Sequence, residues 1–185
     1  MQLNYFNQPY FGNGDITKIS KVLTLNGIEK PLVCSDPGLS SIGMIDKIKD
    51  LISDEFSASF YEDTPANPTE NSVNDALMIY RNNGCDGVIG FGGGSSMDLA
   101  KAVALMANHD GNIIDYSVVE GGYRKITKTI PMIAIPTTSG TGSEVSDGAL
   151  LVMNDGRKLI FASPHLRPDA AICDPELTVG LPPVI

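Results

Sequence analysis

The sequence has no tryptophan and only three cysteines and two histidines among its 185 residues. The cysteines are odd in number and far apart, and each lies in or beside a strand-like segment, so we expect buried, reduced thiols rather than a disulfide framework. His109 and His165 form no metal-ligand pattern and are expected to be ordinary loop residues. The sequence also lacks a Gly-x-Ser-x-Gly elbow and any cysteine–histidine pair. It therefore predicts a binding site in which no residue is assigned a catalytic or metal-ligating role.

Basic residues are also scarce, with 13 Lys and Arg against 22 Asp and Glu and a net charge of −9. This balance argues against nucleic acid and anionic membranes as partners, because both reward lysine and arginine. A nucleotide can still bind, because local dipoles at a turn outweigh the global charge. Residues 1–5 have neither the basic nor the apolar character of a signal peptide, and no apolar run reaches membrane-spanning length. We expect a soluble, cytoplasmic protein.

The most informative segment is the glycine-rich run over residues 90–101, GFGGGSSMDLAK. It follows an apolar run over 87–89, which predicts a strand, and leads into 99–107, which predicts a buried helix. Glycine lets a ligand approach the backbone closely, and a helix N-terminus offers free N–H groups and a positive dipole end. Ser95 is expected to cap this helix, with Asp98 completing a capping-box-like pair. The segment predicts a phosphate or pyrophosphate site, the alternative being a tight turn or a close helix–strand contact.

Helical and strand patterns alternate along the rest of the chain. Apolar spacings of three and four predict helices after the capping residues Asp15 and Thr69 and over 42–52. Short apolar runs predict strands, which lie over 31–34, 56–61, 87–89, 130–135, 149–153, 158–162 and 170–173. The turn at 154–156, NDG, predicts a hairpin between two of them. The expected fold is α/β: one Rossmann-like domain over residues 1–185 with a doubly wound, mainly parallel sheet and a β-hairpin insertion.

Ligands of open α/β sheets bind at the carboxyl ends of the strands. Asp36 follows the first predicted strand, residues 92–96 follow the third, and the hydroxyl-rich residues 137–141 follow the fourth. A carboxylate at the ribose and amides at the pyrophosphate suit a dinucleotide, and the carboxylate favours NAD over NADP because it repels a 2′-phosphate. Three alternatives remain open: Asp36 as a helix cap or turn former before Pro37, the hydroxyl segment as a surface turn, and Lys158 as an exposed strand lysine.

Two long segments resemble the iron-containing (group III) alcohol dehydrogenase family: residues 92–101, GGGSSMDLAK, and residues 135–145, IPTTSGTGSEV. Shorter matches occur in the same order at 67–69, 174–175 and 181–183, so the resemblance covers essentially the whole chain. It implies the N-terminal, dinucleotide-binding domain of this family, with NAD as cofactor and NADP less favoured. The cofactor-binding residues implied are Asp36 as the acid that selects NAD; Asn67 and Pro68 on the adenosine side; Gly93, Gly94, Ser95 and Ser96 at the pyrophosphate; Thr137, Thr138 and Thr141 toward the nicotinamide; and Lys158.

The family holds iron, or sometimes zinc, on an aspartate and three histidines in a second, helical domain. Neither histidine of this chain matches those positions, so the resemblance implies that the metal domain lies beyond Ile185 and that the chain is truncated. It implies a parent enzyme, expected to be a homo-oligomer, that transfers hydride between a small alcohol or aldehyde and NAD(H). The chain alone is expected to be inactive, because a metal would be needed to polarise the substrate oxygen. A relative resembling glycerol dehydrogenase or dehydroquinate synthase, and a stand-alone nucleotide-binding module, remain as alternatives.

Overall fold

The computed structural model describes residues 7–52 and 56–181. Residues 1–5 and most of the family match at 181–183 lie outside these residues. The strands are β1 (Gln8–Phe11), β2 (Pro31–Cys34), β3 (Ser59–Tyr61), β4 (Gly87–Gly92), β5 (Met132–Pro136), β6 (Gly148–Val152), β7 (Lys158–Ala162) and β8 (Ala170–Cys173). The α-helices are α1 (Ile19–Leu25), α2 (Pro37–Ser41), α3 (Met44–Leu51), α4 (Glu70–Asn82) and α5 (Gly94–Ala107).

Six strands form one parallel sheet in the order β1-β8-β5-β4-β2-β3. The chain runs outward from β2 to β3, returns to β4 on the other side of β2, and continues to β5 and β8. The winding direction therefore reverses between β2 and β4. In open parallel sheets this reversal opens a crevice at the carboxyl ends of the two strands, where ligands bind. The Rossmann-like, doubly wound α/β fold is confirmed.

Both faces of the sheet are buried. Successive residues of a strand point to opposite faces, so each strand contributes side chains to two cores. Leu32 and Val88 pack in a core shared with α4, α5 and the hairpin. Val33 and Ile89, one position further along each strand, pack in a second core shared with α1 and α3. Helix α5 lies very close to β4, since a Cβ added at Gly90 would lie 2.9 Å from the Cα of Met97.

The predicted hairpin is also present. Strands β6 and β7 pair antiparallel in a separate two-stranded sheet. The turn between them contains Gly156 with a φ of 85°, a conformation that favours glycine. Leu151 and Phe161 turn inward to the core beneath α5, which fixes the hairpin beside the carboxyl edge of the main sheet.

The structure differs from the sequence prediction in one strand, one helix start and one helix cap. Strand β1 was not predicted, although its Pro9 is compatible with an edge strand. The helix predicted from residue 42 begins at Met44, because Gly43 has a φ of 74° and separates it from the short helix α2. Asp15 does not cap the first helix: Gly14 precedes a 3-10 turn there, and Asp15 pairs with Lys18 at 2.7 Å.

Two further sequence expectations concern membrane spans and cysteines. Within residues 7–52 and 56–181, no helix is long and apolar enough to cross a bilayer. All three cysteines are free, with Cys34 and Cys85 buried and Cys173 half-buried. Burial raises the pKa of the Cys34 thiol well above its usual range, so this thiol stays protonated and unreactive.

Candidate functional site

Asp36 and the start of α5 meet where the sheet winding reverses. Asp36 directly follows β2, and its Oδ1 accepts a hydrogen bond from the Leu39 amide at 3.1 Å, so it caps α2. Its Oδ2 lies 3.4 Å from Ser96 Oγ in the first turn of α5. Asp36 therefore has the capping role left open by the sequence, and it also brings a carboxylate to the crevice between β2 and β4.

No side chain of residues 7–52 or 56–181 caps the start of helix α5. Its N-cap is Gly93, which has an extended backbone and no side chain to accept hydrogen bonds from the first-turn amides. The prediction that Ser95 caps this helix was wrong: Ser95 lies inside the helix, and its hydroxyl donates to the Ala66 carbonyl at 2.5 Å. Asp98 likewise bonds to residues outside the helix. The first-turn amides are consequently left facing the crevice with a positive dipole end behind them.

The hydroxyl-rich segment after β5 lies over this helix start. Its first residue is anchored by a hydrogen bond from the Thr137 amide to the Gly92 carbonyl at 2.9 Å. A Cβ at Gly93 would lie 3.5 Å from Thr138 Oγ1, and a Cβ at Gly94 would lie 3.3 Å from the Thr141 side chain. Thr138 Oγ1 is shielded from solvent and has no hydrogen-bond partner in the described part of the chain. A buried polar atom without a partner is unfavourable, so the Thr138 hydroxyl is available to form a hydrogen bond with a ligand.

A cleft of about 450 Å³ opens beside the start of α5, between the 67–68 loop, residues 141–146 and the hairpin. Six of the predicted residues line it, namely Asn67, Pro68, Gly94, Ser95, Thr141 and Lys158. The others adjoin it at the strand ends and the helix start: Asp36, Gly93, Ser96, Thr137 and Thr138. The fold thus brings all of the predicted residues to the carboxyl edge of the sheet, and their role in binding a cofactor stays a prediction.

The wall formed by the hairpin combines one cation with apolar side chains. Lys158 Nζ donates to Asn67 Oδ1 at 2.8 Å, which holds the ammonium group over the cleft. Leu150 and Ile160 lie directly opposite each other in the hairpin and line the same cleft with half-exposed side chains. The cleft therefore offers a positive charge and an apolar surface side by side.

A buried lysine behind the cleft was missed by the sequence interpretation. Lys101 on α5 is fully buried, and its Nζ lies 2.8–3.1 Å from four oxygens: Ser143 Oγ, Ser146 O, Ser146 Oγ and Gly148 O. Burial lowers the pKa of Lys101 to about 8, while the carboxylates of Asp98, Glu144 and Asp147 act in the opposite direction. The ammonium form therefore prevails at neutral pH. Two charged residues three apart in an otherwise apolar helix are the signal that could have revealed it.

Asp98, one turn earlier in α5, belongs to the same hydrogen-bonded cluster as Lys101, Ser143 and Ser146. Its Oδ1 accepts from Ser143 Oγ at 2.7 Å, and its Oδ2 accepts from the Leu150 amide at 3.0 Å. Ser143 thus connects Asp98 and Lys101, since it donates to the first and accepts from the second. The cluster ties α5 to both the hydroxyl-rich segment and the hairpin.

Metal-ligating side chains do not cluster in the described part of the chain. Across residues 7–52 and 56–181, no group of three His, Cys, Asp or Glu side chains is placed to hold a metal ion. His109 is engaged in loop contacts, with Nδ1 2.8 Å from the Leu105 carbonyl and Nε2 accepting from the Thr127 amide at 3.0 Å. The described residues supply a ligand cleft and no donor set for iron.

A family model described as iron-containing alcohol dehydrogenase matches residues 7–175. The chain belongs to the iron-containing alcohol dehydrogenase family. A 4-hydroxybutyrate dehydrogenase of Cupriavidus necator is 44% identical over 179 residues, covering 96% of this chain and 47% of that relative. The resemblance inferred from the two long segments is confirmed.

Solved structures of this family share the fold. A 1,3-propanediol oxidoreductase superposes with a TM-score of 0.89 at 30% identity, over 95% of this chain and 46% of that one. A sulfoacetaldehyde reductase from Bifidobacterium kashiwanohense, solved in complex with NAD+, superposes with a TM-score of 0.86 at 33% identity, over 96% and 46%. The chain thus spans about half the length of the relatives it matches.

Proposed function

We propose that residues 1–185 form the dinucleotide-binding domain of an alcohol dehydrogenase that transfers hydride between a small alcohol or aldehyde and NAD(H). The observation that carries this proposal is the start of α5 at the winding reversal. Among the described residues, no side chain caps the first-turn amides and none bonds to the Thr138 hydroxyl above them. Membership of the family and the NAD+ complex of the sulfoacetaldehyde reductase support the same cofactor. NADP is the less favoured cofactor because of Asp36.

The residues around the cleft fit the parts of a dinucleotide. The amides of Gly94, Ser95 and Ser96 would bind the pyrophosphate, since a helix N-terminus offers N–H donors and a positive dipole end. Asp36 would accept hydrogen bonds from the adenosine ribose and would repel a 2′-phosphate. Thr138 would donate its hydroxyl hydrogen to an oxygen of the cofactor. The overall charge of −9 does not oppose this, because these donors act at short range.

The remaining predicted residues would shape the two ends of the cleft. Asn67 and Pro68 would contact the adenosine side, and the ammonium group of Lys158, held by Asn67, would offset negative charge of the cofactor. Thr137 and Thr141 would line the path toward the nicotinamide. When bound, NAD+ supplies the hydride acceptor, and the residues named here bind and orient it.

The substrate and metal sites are proposed to belong to the rest of the enzyme. Two observations support this: the chain spans 46–47% of the relatives compared, and its described residues have no donor set for iron. We expect this chain alone to bind the cofactor without turning over an alcohol.

The proposed setting is the cytoplasm, with a second copy of the chain as partner. The three cysteines are free, and free thiols are typical of proteins in a reducing compartment such as the cytoplasm. The apolar side chains of Phe11 and Val179, exposed to 80% and 81%, would be available for a contact with that copy. Sedimentation velocity of the purified chain tests this, since a strictly monomeric profile across concentrations would argue against it.

The function is tested by NADH fluorescence, which protein tryptophan does not obscure because the chain has none. We expect NADH emission to rise and shift to the blue on titration with folded protein. For the variant Asp36→Ala, we expect the preference for NADH over NADPH to fall about tenfold, which corresponds to about 1.4 kcal/mol of lost discrimination.

Two variants separate charge from folding effects. Asp36→Asn retains a capping side chain for α2 and removes the charge, so it should lose the preference as Asp36→Ala does. Asp50→Ala removes an exposed carboxylate on α3 and should leave the preference unchanged. Binding of NADH without any change of preference in both Asp36 variants would reject the role of this residue; absence of any fluorescence change in the wild type would reject the function.

A further inference from the structure

Lys101 is a buried charge that does not line the cleft. It sits in the third turn of α5, where residues 99–106 are otherwise apolar, and its side chain is fully enclosed. Removing an ammonium group from water is unfavourable, and hydrogen bonds offset this only if they are well placed. Here they are, because four oxygens surround Nζ within 3.1 Å.

The oxygens around Lys101 all belong to one short segment, residues 143–148. This segment connects the hydroxyl-rich residues over α5 to the first strand of the hairpin, and it contains no helix or strand of its own before Gly148. Backbone hydrogen bonds from Val145 and Ser146 return to Gly142 and close a local turn, and the Ser163 amide donates to the Asp147 carbonyl at 2.9 Å. Asn7 Nδ2 also donates to the Glu144 carbonyl at 2.7 Å, and Arg167 pairs with Asp147 at 3.4 Å. The contacts from α5 are those that join the segment to the helix whose start forms the proposed pyrophosphate site.

We propose that Lys101 is a positioning residue, which together with the cleft-lining Asp98 holds residues 143–148 against α5 and so keeps the outer wall of the dinucleotide cleft in its binding conformation. The inference rests on the proposed cofactor function and deepens it. Thr141 precedes the segment and Leu150 follows it, and both line the cleft. The Asp98 carboxylate reaches both ends of the segment, through Ser143 Oγ at 2.7 Å and the Leu150 amide at 3.0 Å.

Burial makes this arrangement unfavourable for the charge itself. The pKa of Lys101 falls to about 8 although three carboxylates oppose the fall, those of Asp98 on α5 and of Glu144 and Asp147 on the segment. A lowered lysine pKa means that the folded protein holds the proton less tightly than the unfolded chain does. An apolar side chain of similar length would avoid this penalty, as replacements of buried charges by apolar groups often do. The benefit of the lysine is thus expected in the order of residues 143–148 rather than in global stability.

The variant Lys101→Met separates these two effects in the intact chain. We expect its urea midpoint to stay equal to or above that of the wild type, while amide hydrogen exchange over 143–150 becomes about tenfold faster. If the binding-competent arrangement falls to about one tenth of molecules, the NADH dissociation constant rises about tenfold, because apparent affinity scales with the competent fraction. The matched control Lys47→Met removes an exposed lysine from α3 and should change none of the three measurements.

A pH series gives a readout that a purely structural residue would not produce. Wild-type affinity for NADH should fall between pH 7 and pH 9.5 as the Lys101 ammonium loses a proton and one N–H donor, whereas the affinity of Lys101→Met should stay level. Lys101→Gln keeps two N–H donors without the charge and should lie between the wild type and Lys101→Met in exchange rate and affinity. This second variant keeps the test decisive if Lys101→Met does not fold.

The outcomes distinguish this inference from the proposed function. If the wild type binds NADH but Lys101→Met and Lys101→Gln match it in exchange, affinity and pH profile, the positioning role is overturned and the cofactor site stands. If the wild type does not bind NADH, the proposed function fails, and the exchange of residues 143–150 still reports whether Lys101 orders them. A fall in urea midpoint that alone accounts for the weaker binding would also overturn the positioning role.

Discussion

Gly93→Ala should separate folding from cofactor binding. Gly93 is the N-cap of α5, and its φ of −77° and ψ of −172° are extended backbone that alanine adopts without strain. The added Cβ would lie 3.5 Å and 3.7 Å from the Oγ1 and Cγ2 of Thr138, which is ordinary van der Waals contact. Neither the backbone nor the neighbours of Gly93 therefore require glycine in the free protein.

The magnitude follows from these contacts. Replacing a glycine by alanine at a compatible position stabilises a protein by about 0.4–1 kcal/mol, chiefly because the unfolded chain loses freedom. Alanine is a poorer N-cap than glycine by a similar amount, so we expect the free energy of unfolding of Gly93→Ala to change by no more than about 1 kcal/mol. The same methyl group would fill the space between the Thr138 hydroxyl and the helix start, where a cofactor oxygen is proposed to lie. We expect the NADH dissociation constant to rise between about tenfold and about 100-fold, equivalent to about 1.4–2.8 kcal/mol.

Urea unfolding and NADH fluorescence measured on one preparation test both halves of this prediction. The control is Gly180→Ala, where the added Cβ meets no atom of the described residues within 4 Å. It should raise the free energy of unfolding by no more than about 1 kcal/mol and leave the NADH dissociation constant unchanged. Unchanged affinity in Gly93→Ala would refute the placement of the pyrophosphate at the start of α5. A free energy of unfolding lowered by more than about 2 kcal/mol would instead refute the steric reasoning about the free protein, because it would exceed the cost of a poorer N-cap.

Two further predictions concern stability. Gly90→Ala should lower the free energy of unfolding by about 1–3 kcal/mol in urea, because its Cβ would lie 2.9 Å from the Met97 backbone, which cannot rotate away; an unaltered midpoint would contradict the close packing of α5 on β4. The free energy of unfolding should also depend on Lys101 at alkaline pH. The pKa of Lys101 is about 8 in the folded protein and 10.5 in the unfolded chain, so between these pH values the unfolded chain binds a proton that the folded protein has released. This group therefore makes stability rise between those values, by up to about 1.4 kcal/mol per pH unit, and the difference in slope between wild type and Lys101→Met in pH-dependent urea titrations should show it.

The elements that the sequence predicted well depend on local chemistry. Strand β4, the glycine-rich turn and α5 follow from a short apolar run, three glycines and a long apolar helix. The capping box at Thr69 and Ser72 was anticipated in its first member, and both of its hydrogen bonds form, at 3.1 Å and 2.8 Å. The NDG turn likewise specifies the hairpin with its own residues. Features of this kind can be predicted from the sequence because the interacting groups are neighbours along the chain.

Strand β1 could not be predicted in this way. Its partner is β8, and Gln8 pairs with Ala170, so the strand depends on a segment far along the chain. Its four residues include a proline and are mostly exposed, which gives no alternation to detect. Lys101 was missed for a similar reason, since the oxygens that satisfy it come from residues 143–148. Non-local partners decide both features.

The wrong cap assignment for α5 carries information about function. By local rules Ser95 is a good capping residue, and a serine in that role would have used its oxygen on the helix amides. Ser95 instead bonds to Ala66, and Asp98 bonds to Ser143 and Leu150, so tertiary contacts draw both side chains away from the helix start. The N-cap position falls to a glycine, and the amides remain for a ligand. Functional sites are where a chain is expected to depart from local preferences such as helix capping. Here the departure lies at the winding reversal of the sheet, beside the Thr138 hydroxyl that has no partner among the described residues. A substitution that restored a capping oxygen at the N-cap, Gly93→Ser, should accordingly compete with the pyrophosphate and weaken NADH binding more than Gly93→Ala does.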